Sequence, residues 1–166
     1  MDVRFINPFI AAVKNVFNTM VTTQITVGKP YVINASQEPV ADVSAVIGLS
    51  GDVVGCVVLS LPMQSAVNAA SKFAGMELTP DNPDFADALG ELANMVAGQA
   101  KSNFTGFNVS ISLPSVIIGR EHVVSQSRAK PRLALPCESA LGTFHVEVVM
   151  VVNRPSAKQA PAAATV

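Results

Sequence analysis

The chain has 166 residues, a formal net charge of -1 and a pI near 6.1, with 49% hydrophobic and 14% charged residues, which suits one globular domain and excludes disorder over most of its length. Eleven basic against twelve acidic residues leave no basic stripe for a phosphate backbone, so nucleic acid is excluded as a partner. Mean hydropathy is +0.41, but no apolar run reaches the roughly 18 residues that a spanning helix requires.

The start, Met1-Asp2-Val3-Arg4-Phe5-Ile6-Asn7-Pro8, lacks the basic lead and apolar run of a secretory signal. The two cysteines, Cys56 and Cys137, stand in apolar strand-like stretches without metal-site spacing and read as small buried hydrophobes. A cytoplasmic protein is the expectation, with neither membrane insertion nor a metal or cofactor site on the chain.

In chain order, the first predicted element is a helix from Asn7 to Met20, with Asn7 as N-cap, Pro8 at the first helical position, and Phe9, Val13, Val16, Phe17 and Met20 at helical spacing. Val43 to Leu61 reads as a two-stranded hairpin turning at Ser50-Gly51-Asp52; that turn leads into a strand and lacks a Gly-Lys-Ser/Thr ending, so it is no phosphate loop. A second helix spans Met63 to Met76, with Gly75 as its C-terminal cap. The strongest helical signal runs from Asp84 to about Phe104. After it come a strand from Val109 to Leu113, a turn-rich stretch around Ser125 to Pro131, and a hairpin from Leu133 to Val152. Residues 1–155 form the expected domain, and the Ala/Pro-rich stretch 156–166 the expected flexible tail. The fold class is α/β of the α+β type, with helices on one side of a mostly antiparallel sheet.

Any chemistry is sought on the Asp84 to Phe104 helix. At 100° per residue, Phe85, Leu89, Leu92, Ala93, Val96 and Ala100 share the core side, while Asp87, Glu91 and Asn94 fall within an arc of about 60° opposite them. An ordinary solvated face explains such a stripe by itself. Gly90 and Gly98 flank it, however, and each costs a helix interior about 1 kcal/mol relative to alanine. Glycines beside an acid and an amide predict close approach by another protein, hence a docking face.

The run Asp87-Ala88-Leu89-Gly90-Glu91-Leu92-Ala93-Asn94 closely resembles the signature helix of the CheC/CheX/FliY chemotaxis phosphatases: Asp or Ser, three residues, Glu, two residues, Asn. That family has a proline further on. Its counterpart here is Pro114, with 19 residues between it and Asn94, a shorter connection than the family's. The resemblance extends to Asn7-Pro8-Phe9-Ile10 and to Gly48-Leu49-Ser50-Gly51-Asp52 with Gly55. It is nearest to CheX, because one complete signature is present where CheC carries two. Aligning Phe9 with Phe85 places Asn15 on Glu91 and Asn18 on Asn94, so the first helix reads as a decayed copy with an amide where the acid belongs.

The resemblance implies a homodimeric, CheX-type hydrolase of two-component signalling. Its substrate would be the aspartyl phosphate of a CheY-type response regulator, with Mg2+ held by the receiver. Asn94 would orient the attacking water, and Glu91 would position the receiver through a lysine near the phosphorylation site. Asp87, Gly90, Gly98 and Pro114 would support the contact. The alternative is a non-catalytic CheX-like module that sequesters or scaffolds a receiver or flagellar switch component. His122 and His145 lie far apart in sequence without a nucleophile motif, and read as ordinary surface or strand residues.

Overall fold

The computed structural model describes residues 3–34, 36, 38–125 and 131–153. The expected tail 156–166 and most of the turn-rich stretch before Pro131 lie outside the described residues.

Helix α1 (Val3–Met20) begins one turn before the predicted start, so Asn7 is not its N-cap and Pro8 lies inside it. An interior proline forfeits a helical hydrogen bond and costs about 3 kcal/mol. What offsets this is burial of the turn before it. Phe5 and Ile6 are buried, and the Phe5 ring meets Phe104 and Phe107 edge-on at 5.4 and 5.3 Å, where each fully buried large side chain contributes about 1.5–3 kcal/mol.

Two short strands follow, β1 (Thr26–Val27) and β2 (Tyr31–Val32), then the hairpin of β3 (Ala41–Gly51) and β4 (Val53–Leu61). The predicted turn is where expected: Gly51 takes φ 102°, and Asp52 Oδ2 accepts the Asn108 N–H at 2.7 Å. Helix α2 (Met63–Ala74) ends at Gly75 in the left-handed conformation, φ 68°. Helix α3 (Pro83–Ser102) is followed by β5 (Val109–Ile111), β6 (Ser115–His122), β7 (Arg132–Ser139) and β8 (Gly142–Val152).

All pairings are antiparallel, in one eight-stranded sheet ordered β1-β7-β8-β4-β3-β5, with β2 also on β7 and β6 also on β3. This order has an internal two-fold character. The first half runs α1, β1, β2, β3, β4 and the second α3, β5, β6, β7, β8, with α2 between them. Each half lends its two leading strands to the third strand of the other, and the halves join where β4 pairs β8. The core fills the space between the helices and one sheet face: Phe9, Val13 and Phe17 of α1 and Phe85, Leu89 and Leu92 of α3 pack with Val43, Ile47, Leu59, Leu135 and Val146.

The opposite sheet face is not simply solvated. Ser44, Ser60 and Glu147 are buried there, and Arg132 spans from Glu147 Oε2 (3.0 Å) to Glu38 Oε1 (2.5 Å) and to the Val124 carbonyl (2.8 Å). Ser60 Oγ donates to Glu147 Oε1 at 2.6 Å. Arg132 thus ties residues 38 and 124 over that face.

Candidate functional site

Asn82 caps α3: its Oδ1 accepts the Asp84 N–H at 2.9 Å, and Pro83 takes the first helical position, where a missing N–H costs nothing. Every residue assigned to the core side is buried, namely Phe85, Leu89, Leu92, Ala93, Val96 and Ala100. Asp87 and Glu91 are exposed and Asn94 is half-buried, so the three polar side chains do share the outward stripe.

Within the stripe, the Asn94 Nδ2–H donates toward Glu91 Oε2 at 3.4 Å. That contact aims the amide nitrogen at the acid one turn back. The carbonyl oxygen Oδ1 is left as an acceptor on the stripe.

The flanking glycines do something other than the sequence suggested. Gly90 is buried, and a Cβ added there would meet Pro114 Cγ at 3.2 Å, Pro114 Cβ at 3.3 Å and Val116 Cγ2 at 3.4 Å. The close approach that Gly90 permits is therefore made by this chain's own Pro114 and Val116, not by another protein. Gly98 faces Ile111 of β5, whose Cδ1 would stand 3.7 Å from an added Cβ, an ordinary contact. Both glycines belong to the side of α3 that leans on β5 and β6.

Pro114 reaches α3 because the chain leaves the sheet between β5 and β6. Ser112 N donates to the Gly48 carbonyl at 2.9 Å, and Ser112 Oγ accepts the Gly48 N–H at 2.8 Å and donates to the Leu113 carbonyl at 2.7 Å. The hydroxyl fills the gap in the ladder, and the short connection is thereby closed. Ala86, Asp87, Gly90, Glu91, Pro114 and Val116 line the resulting groove. Asp87, Gly90, Glu91, Asn94 and Pro114 thus come together; Gly98 lies two turns further along. Val116 was missed at the level of sequence because residues 115–122 were left unassigned, although the β-branched run Val116-Ile117-Ile118 is the signal that could have found the strand.

The other candidates find structural places. His122 Nδ1 donates to the Gly119 carbonyl at 2.9 Å, and Nε2 lies 2.8 Å from Ser44 Oγ, within hydrogen-bond reach of the hydroxyl. This pairing has the look of an activated nucleophile, but Ser44 is 0% exposed and no substrate reaches it. His145 meets the Tyr31 ring edge-on at 6.4 Å; burial holds its pKa below the ordinary 6.5, against a smaller upward pull from Glu147. Cys137 is buried and its thiol is pushed up to about 12 by desolvation, which makes it inert, and Cys56 is half-buried.

Asp42, unmarked in the sequence, accepts the Met63 N–H (2.8 Å) at the start of α2 and the Glu121 N–H (3.0 Å) of β6. These two donors hold its carboxyl below the ordinary 3.8. Among the described residues, no group of three or more His, Cys, Asp or Glu is placed to hold a metal ion, and no helix is long and apolar enough to cross a membrane.

Three helices on an open antiparallel sheet, with one long helix carrying the stripe, define the CheC-like class of chemotaxis proteins. A structure of a CheC-like superfamily protein from Shewanella sp. PV-4 superposes with a TM-score of 0.82 at 28% identity, covering 91% of this chain and 99% of that one. CheX from Desulfovibrio desulfuricans is 32% identical with a TM-score of 0.80, covering 90% of this chain and 99% of that chain. The family model described as chemotaxis phosphatase CheX matches residues 43–138. The chain belongs to the CheX family of chemotaxis phosphatases. A CheX-CheY-BeF3-Mg2+ complex from Borrelia burgdorferi shares the fold, with 24% identity, a TM-score of 0.76 and coverage of 88% of this chain and 97% of that chain. No match is found among curated proteins.

Proposed function

We propose that this chain accelerates hydrolysis of the aspartyl phosphate on a CheY-type receiver, with Asn94 orienting the attacking water and Glu91 holding the receiver in register. The observation that carries the reading is the pairing of an acid and an amide one turn apart on the outward side of α3, with Asn94 Nδ2 directed at Glu91 Oε2.

Phosphoryl transfer to water needs positioning and charge stabilisation more than covalent help from the protein. A water accepted by Asn94 Oδ1 through one of its hydrogens turns a lone pair toward phosphorus. The water oxygen bonds to phosphorus as the bond to the aspartyl oxygen breaks, leaving inorganic phosphate and a free carboxylate on the receiver. A neutral amide does this without repelling the phosphoryl oxygens, which a carboxylate at position 94 would repel. Glu91, exposed and anionic, suits an ion pair with a receiver lysine, and Asp87 adds a second negative charge on the same stripe.

Mg2+ enters on the receiver, as in the composition of the Borrelia burgdorferi complex. The working compartment of this reading is the bacterial cytoplasm, where receivers reside, and its working state is a homodimer; a monomer in sedimentation equilibrium would overturn the latter.

The test is phosphate release from receivers phosphorylated by a small donor with Mg2+, alone and with wild-type or Asn94→Ala chain. Acceleration by the wild type, cut about 100-fold in Asn94→Ala while binding persists, is the expected result. Tight binding of a receiver without any acceleration would replace this reading with that of a sequestering or scaffolding module.

A further inference from the structure

The polar stripe of α3 has an apolar neighbour. In the β3–β6 ladder Ala45 pairs with Val116 and Val43 with Ile118, so Val116 and Ile118 point to the same face, the one on which Val116 meets Gly90. Ile118 is 43% exposed and Leu113, which precedes the Pro114 packed on Gly90, is 87% exposed. Leu113 is exposed on a fixed loop. The Ser112 hydroxyl anchors it on both sides, to Gly48 N and to the Leu113 carbonyl.

Single exposed hydrophobes are ordinary; a row of them bordering a groove that also carries an acid and an amide marks a binding surface. Because the backbone beneath is already ordered, little conformational freedom is lost when it is covered.

We propose that Leu113, Val116 and Ile118 form an apolar rail beside α3, on which the receiver seats an apolar patch beside its phosphorylation site. This inference rests on the receiver-docking reading above. Affinity then resides largely in the rail, and the chemistry in Asn94.

Two observations select this occupant. The rail is continuous with the stripe, since Pro114 and Val116 line the same groove as Asp87 and Glu91, so a partner delivering a phosphoryl group to Asn94 covers the rail as well. A second copy of this chain, packed across a two-fold axis at the groove, would set Asp87 and Glu91 against their own equivalents, a like-charge contact that disfavours it.

The experiment compares Leu113→Ser, Ile118→Ser and the conservative Leu113→Met in steady-state hydrolysis of a phosphorylated CheY-type receiver, with binding of the beryllofluoride-treated receiver measured alongside. Leu113→Ser and Ile118→Ser are each expected to raise KM and Kd about tenfold, with the loss in KM rather than in kcat, and Leu113→Met to restore most of it. Leu113→Ser removes no core contact, so it remains informative if Ile118→Ser lowers the melting temperature. Unchanged KM and Kd in Leu113→Ser overturn the rail while leaving the role of Asn94 standing. A fall in kcat at constant KM also overturns it, because the loop would then be positioning α3 rather than touching the receiver. If the wild type binds a receiver without hydrolysing it, the phosphatase reading fails and Kd alone decides the rail. If no receiver binds, both fall; if Leu113→Ser instead shifts the monomer–dimer equilibrium at normal KM, the surface belongs to a second copy.

Discussion

Helices α1 and α3 hold equivalent places in the two halves of the sheet, and the chemistry separates them. Where α3 carries Asp87, Glu91 and Asn94, α1 carries Ala11, Asn15 and Asn18, and Lys14 stands at the position of Gly90. Asp87, Gly90 and Glu91 of α3 line a groove with Pro114 and Val116, and all four α1 residues line one with Gln24 and Ile25. On α1, Ala11, Lys14, Asn15 and Asn18 are all exposed, whereas α3 has Gly90 buried and Asn94 half-buried. The scaffold supplies the groove twice. Only on α3 are an acid, an amide and a glycine tight enough for a crossing proline found together.

The sharpest way to break the comparison is to attack what holds the sheet beneath both helices. Equivalent strands β3 and β7 begin with clamps of opposite charge, Asp42 and Arg132. Glu147 is 2% exposed and paired to Arg132, so Arg132→Met is expected to cost about 3–5 kcal/mol in denaturant unfolding, because a buried charge is left uncompensated. A cost below about 1 kcal/mol would mean that Glu147 finds water or a proton easily.

The next comparison is functional: Asn94→Ala should lower receiver dephosphorylation about 100-fold and Asn18→Ala should leave it unchanged. Comparable losses in both would make α1 a second working face. Smaller still is the contrast between the two glycines. Gly98→Ala gains helix propensity without a clash and should raise stability by about 1 kcal/mol, or roughly 2–4 °C in Tm. Gly90→Ala gains the same propensity but forces Pro114 and Val116 outward, for a net loss on the order of 1 kcal/mol. Thermal melts of the two variants should therefore move in opposite directions.

The smallest effects are in pH. His145 is held below 6.5 by burial, so the unfolded chain binds more protons as pH drops from that value toward the folded one. Its contribution is complete above 6.5 and is lost below it; His145→Gln should remove that portion of the slope. Asp42, held below 3.8 by the Met63 and Glu121 N–H groups, contributes above 3.8 and is lost as pH falls further, a second step absent from Asp42→Asn. A melting temperature flat from pH 7 to 5 in the wild type would contradict the first assignment.

Much of α3 was legible beforehand because its apolar residues recur without interruption, a local signal; the Asn82-Pro83 cap, equally local, went unread, and the start was set at Asp84. The stripe of Asp87, Glu91 and Asn94 followed from helix geometry, although its meaning came from resemblance to a family. Strand β6 was legible only in its Val116-Ile117-Ile118 run and went unassigned: it is polar from Gly119 onward, where it is held by pairing with residues some seventy positions earlier. Because β6 was unseen, so was the true neighbour of Gly90. Strands β1 and β2, two residues each, exist only through β7. Glu147 alternates along β8 as a solvated residue would, and no local pattern shows that Arg132 covers it. The early start of α1 was hidden for a related reason, since Phe5 is fixed by Phe104 and Phe107, a hundred positions away.

The exchange of leading strands between the halves has a consequence for inheritance as well as for folding. Because β1 and β2 complete the strand order around β7, and β5 and β6 that around β3, neither half can close its own sheet. Helix α1 therefore cannot be discarded with its half: its core residues Phe9, Val13 and Phe17 hold the sheet whatever its outer face carries. Damage to Phe9 or Phe17, both buried, would reach the proposed activity by shrinking the folded population, a tax on abundance rather than on turnover.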